Sequence, residues 1–118
     1  MADSLDRGVF APEAWAEYER CFTPGAIHAS CEDYRAAAGI DLLHDRADRD
    51  GRRTINCPLL ALWGERGIIG RCFRPLDEWR RVATDVSGHE VPAGHYIPEE
   101  APELLAQELE EFFGGRKA

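Results

Sequence analysis

Cys57-Pro58-Leu59-Leu60-Ala61-Leu62-Trp63-Gly64 is the stretch whose reading decides the fold. An uninterrupted apolar run between a proline and a glycine, too short for an ordinary helix and without alternation, is the pattern of a parallel strand buried on both faces. Downstream, Pro75 opens a helix that carries Leu76, Trp79 and Ala83, and Val86-Ser87-Gly88-His89-Glu90-Val91 forms a weaker second strand. Residues 58–91 therefore read as a βαβ unit. A closing helix follows: Glu99, Glu100 and Glu103 suit its positive end, Leu104, Leu105, Leu109, Phe112 and Phe113 make its apolar stripe, and Gly114-Gly115 stop it.

Upstream of Pro58 the period changes. Ala11, Trp15, Tyr18 and Phe22 recur at helical spacing behind Pro12, and Thr23-Pro24-Gly25 breaks the chain. Ile27, Cys31, Tyr34 and Ala38 then repeat the spacing, and Ile40, Leu43, His44 and Ala47 suggest a third, shorter helix. The polar run Asp48-Arg49-Asp50-Gly51-Arg52-Arg53 has no apolar side chain to bury and reads as a surface connection. A boundary near residue 54 divides a helical part, residues 1–54, from an α/β part, residues 55–118. The sheet is short of partners, because two parallel strands are not stable alone and three or more are usually needed.

Composition narrows the function. The 118 residues are 44% apolar and 31% charged, which suits one compact domain. The net charge of -8 repels phosphate backbones and anionic membranes, so neither nucleic acid nor a membrane is an expected partner. No apolar run approaches the ~20 residues of a bilayer span, and the N-terminal Met1-Ala-Asp-Ser-Leu-Asp-Arg-Gly lacks the pattern of a leader, so the expected compartment is the cytoplasm. Cys21, Cys31, Cys57 and Cys72 are irregularly spaced; they are expected to be buried free thiols rather than metal ligands.

One loop carries a candidate for chemistry. Gly94-His95-Tyr96-Ile97-Pro98-Glu99-Glu100-Ala101-Pro102 places a histidine between a strand and a helix, where rigid elements hold functional side chains. A neutral imidazole accepts a proton from water near pH 7, and glycine lets backbone approach closely. From the residues alone, His95 filling a turn is the competing reading, and His28, His44 and His89 keep it.

The order of these elements is more specific than any one of them. Residues 58–113 resemble the last two strands and last helices of α/β hydrolases, with Pro58-Leu-Leu-Ala-Leu-Trp-Gly64 and Gly94-His95 as matching motifs. Adding Cys31-Glu-Asp-Tyr-Arg35, Asp41-Leu-Leu-His-Asp45 and Pro75-Leu-Asp-Glu-Trp79, residues 9–113 resemble the haloacetate and fluoroacetate dehalogenases. The resemblance implies that residues 1–54 are a remnant of a helical cap and its connection, that His95 is the general base, and that Tyr34 gives a hydrogen bond to the departing halide. It implies a haloacetate substrate, an aspartyl ester intermediate, and no metal or other cofactor.

The same resemblance implies that the nucleophilic aspartate, the arginines for the substrate carboxylate and the oxyanion amides belong to an N-terminal part not found in these 118 residues. Gly67 stands where many α/β hydrolases carry the triad acid, which the dehalogenases take from an earlier strand; Glu65 is then a surface residue. Ala11 replaces a capping aspartate, an exchange that costs about 1 kcal/mol. The expectation is a truncated dehalogenase, inactive until completed by an N-terminal half. Two alternatives remain: a fragment of a related epoxide hydrolase, which commonly uses two cap tyrosines, or a non-catalytic interaction module that self-associates through an exposed sheet edge.

Overall fold

The structure, a computed structural model, describes residues 8–115. The leaderless reading of residues 1–7 lies outside the described residues. The chain divides into two compact units, one ending at Thr54 and the other beginning at Ile55.

The first unit is helical: α1 (Pro12–Cys21), α2 (Pro24–Ala37) and α3 (Ile40–Asp50). Pro12 takes the first turn of α1, where its missing N–H is not needed, and Ala11 supplies no side-chain cap. Thr23 does cap α2, its Oγ1 accepting from Ala26 N–H at 3.2 Å. Phe10 packs edge-on against Trp15 and Tyr18, with ring centroids 5.6 and 6.1 Å away.

α3 continues through Asp50, so half of the polar run expected to be a connection is helix. A solvent-facing turn needs backbone hydrogen bonds, not apolar side chains, and Gly51 N–H donates to Ala47 O at 2.9 Å. Arg53 fastens the end to Asp48 at 2.9 Å. No described residue of this unit is buried; its apolar stripes, Tyr18, Phe22, Ile27 and Leu43 among them, stay exposed.

The second unit is α/β. Strands β1 (Leu59–Gly64) and β2 (Val86–Val91) run parallel, in register from Leu59 opposite Val86 to Gly64 opposite Val91. Between them lie α4 (Ile69–Cys72) and α5 (Pro75–Arg80); α6 (Ile97–Glu100) and α7 (Pro102–Gly114) follow. Ala83 was expected on the helix opened by Pro75, but α5 ends at Arg80 and Ala83 forms an isolated parallel bridge with Ile55. The core of the unit is Ala83, Val91 and Ala93, with Gly64 buried beside them.

Three expectations of burial fail. β1 is half-buried apart from Gly64, not buried on both faces. Leu109 and Phe113 of the α7 stripe are exposed, and so are all four cysteines. Among the described residues the sheet has two strands, and so narrow a ribbon covers its own faces incompletely. No helix among the described residues is long and apolar enough to cross a membrane.

Candidate functional site

Both strands deliver their chain to the same end of the sheet, the carboxyl end where parallel α/β sheets place their sites. Beyond Gly64 and Val91 the two exits stay paired: Glu65 N–H donates to Val91 O at 2.9 Å and Arg66 N–H to Ala93 O at 3.1 Å. Gly64 makes this possible. A methyl group there would lie 2.5 Å from the carbonyl oxygen of Ala93 and overlap that of Gly94, so only a residue without Cβ admits the crossing backbone.

His95 leaves this crossing exposed to solvent, at a cavity of about 250 Å³. Trp63, Gly67, Ile69, Trp79 and Ile97 are among the residues that wall it. Most of these walls are apolar, and His95 stands exposed to water at the edge of the cavity. The Tyr96 ring stands edge-on to the imidazole, centroids 5.0 Å apart.

The loop is held by Glu100. Gly94 N–H donates to its Oε2 at 2.6 Å and Tyr96 N–H to its Oε1 at 3.1 Å. Arg66 Nη2 donates to Oε2 at 3.1 Å, while Arg66 Nη1 reaches Pro92 O at 3.0 Å. Burial pushes the Glu100 carboxyl up, but the two amides and the guanidinium outweigh it and hold it below the usual carboxylate range. Sequence reading assigned Glu100 only to a helix end. Its position four residues after Tyr96, the residue that opens α6, resembles the reciprocal half of a capping box one position late, and that spacing was the available signal.

The other residues singled out in the sequence fall elsewhere. Tyr34 lies on α2 of the helical unit, 80% exposed. Glu65 is exposed and pairs with Arg66 at 3.4 Å, and Gly67 lines the cavity without a carboxylate. His28 stands 3.9 Å from Glu32, and His89 3.1 Å from Glu108 of α7. Among the described residues no group of three or more histidine, cysteine or acidic side chains could hold a metal ion.

Comparison with known proteins gives a consistent result. No family model matches the chain. It is 32% identical over 110 residues to a fluoroacetate dehalogenase of Burkholderia sp., an alignment that takes in 92% of this chain and 36% of that protein. It is 35% identical over 107 residues to a soluble epoxide hydrolase of Corynebacterium sp. (strain C12), covering 89% of this chain and 35% of the relative. A structure from Nostoc sp. PCC 7120, classed as an α/β hydrolase, superposes with a TM-score of 0.84 at 56% identity over 89% of this chain and 36% of that one. The chain thus spans little more than a third of the length of the proteins it matches.

Proposed function

We propose that this chain, which has the architecture of the C-terminal part of an α/β hydrolase, supplies the general base and a halide-binding donor of an enzyme that removes halide from a 2-haloacid. The observation that carries the reading is His95: exposed, on a tied-down loop at the carboxyl end of a parallel sheet, facing a cavity walled by Trp63 and Trp79.

The chemistry divides into two displacements. A carboxylate oxygen attacks the halogen-bearing carbon; the new C–O bond forms as the carbon–halogen bond breaks, and halide leaves with the electron pair. Hydrogen-bond donors stabilise that growing negative charge, and Tyr34 is assigned as one of them. His95 then takes a proton from water as the water oxygen adds to the carbonyl carbon of the aspartyl ester. The acyl C–O bond breaks with its electron pair going to the departing oxygen of the hydroxyacid, which takes the proton back from the His95 imidazolium. The carboxylic acid left behind gives its proton to solvent to regenerate the carboxylate. The nucleophilic carboxylate comes from polypeptide outside these 118 residues, as does the sheet that completes β1 and β2.

The likeness to a soluble epoxide hydrolase supports a second reading, in which the same base hydrolyses the ester formed by opening an epoxide. Mixing the chain with a polypeptide bearing the complementary N-terminal strands, then offering fluoroacetate, chloroacetate and a simple epoxide, separates the two. Halide release with little diol is expected; diol without halide replaces the first reading with the second. A stoichiometric dimer of the chain that gains no activity in the mixture favours an interaction module instead.

A further inference from the structure

The general-base reading leaves the Glu100 carboxylate unused, yet it is the most heavily engaged side chain near His95. Its donors Gly94 N–H, at 2.6 Å, and Tyr96 N–H, at 3.1 Å, belong to the residues immediately before and after the histidine. One carboxylate therefore grips the chain on both sides of the imidazole. The Glu100 side chain is only 16% exposed, against 56% for Arg66, so water competes weakly for these bonds. Arg66 also donates to Pro92 O, which ties the grip to the exit of β2. The fit at Gly94 is close: a methyl group there would stand 2.6 Å from Glu100 Oε1.

We propose that Glu100 is a positioning residue for His95, its two oxygens closing backbone hydrogen bonds around the histidine and so fixing where the imidazole stands at the cavity. The consequence for catalysis rests on the reading of His95 as general base, because a base a fraction of an ångström out of place loses most of its advantage. Glutamine cannot substitute. It offers one acceptor oxygen, and its NH₂ would face an N–H donor, so one of the two amides loses its partner.

The test is NMR of the 118-residue chain at neutral pH, comparing wild type with Glu100→Gln and Arg66→Gln. In Glu100→Gln, hydrogen exchange of whichever amide faces the new NH₂, Gly94 or Tyr96, should accelerate by about tenfold or more, the size of a lost charge-assisted bond, and that of the other by less. The His95 ring resonances should move while those of His28, His44 and His89 stay in place. Arg66→Gln should shift the same residues by less, since both amide bonds survive. Unchanged His95 resonances in folded Glu100→Gln overturn the proposal, and four histidines moving together mark a variant that does not fold. If Glu100→Gln does not fold, Arg66→Gln decides: changes confined to Gly94, His95 and Tyr96 support the proposal, and none there overturns it. No substrate enters this measurement, so a failure of the base assignment, seen as turnover surviving His95→Gln, is separate from it.

Discussion

Gly64 and Gly94 meet backbone to backbone, the first at the end of β1 and the second on the loop that carries His95. The Trp63-Gly64 and Gly94-His95 motifs, thirty positions apart in the chain, are two sides of one contact. The position of the imidazole is thus set by how closely two parallel strand exits can cross.

Gly64→Ala should therefore lower stability by about 1–3 kcal/mol or more, because a methyl group can be placed only by driving the loop away. Gly114→Ala, at the end of α7 where nothing lies within 4 Å, should be neutral or stabilising by about 0.5–1 kcal/mol. Urea unfolding midpoints of the two variants check the contrast.

Acid should loosen the His95 loop. Because the folded-state pKa of Glu100 lies below its ordinary value of 4.5, the carboxylate contributes stability in full above that value and loses it as pH falls through the folded one. Wild type should be more stable than Glu100→Gln at pH 7 and pH 6, and the difference should shrink below about pH 4. Urea midpoints taken across that range would reveal a constant difference if Glu100 were not the group responsible.

The four cysteines should all react with a thiol reagent without denaturant, since all are exposed. Cys21 should be the slowest: local desolvation and then the Glu17 carboxylate, 3.7 Å away, push its thiol up and reduce the reactive thiolate. Glu17→Gln should speed Cys21 alone, as followed by mass spectrometry of the labelled chain.

Much of this was legible in the sequence, and the failures have two origins. The three N-terminal helices, the parallel pair and the loop bearing His95 follow from local patterns, the apolar run from Leu59 to Trp63 and the proline and glycine stops. But α4 was not expected, and the single closing helix is two, α6 carrying Glu99 and Glu100 and α7 carrying Glu103. Burial was misjudged for β1, for Phe113 and for the cysteines because hydrophobic pattern predicts what a residue would bury against, not whether the partner is present. Glu100 was missed because its partners are backbone N–H groups, for which the only signal was its spacing from Tyr96. α3 overran its expected end for a similar reason, its last turn resting on backbone bonds that composition does not report.

Tyr34 carries the second assignment and permits a clean separation of structure from function. At 80% exposure, Tyr34→Phe should change the stability of the chain by no more than about 0.5 kcal/mol. In a completed enzyme it should slow fluoride release by about 10²-fold, as loss of one donor to a developing anion does elsewhere. Equal rates of fluoride release for the two proteins would remove Tyr34 from the site.

The most direct measurement of the central claim is halide release by His95→Gln in the complex with a complementary N-terminal polypeptide. With the base gone, attack on chloroacetate still occurs but the ester cannot be hydrolysed. One equivalent of chloride per active site should appear and then stop, with the alkylated aspartate visible by mass spectrometry. Continued turnover at the wild-type rate, without ester accumulation, would contradict the assignment of His95 as the general base.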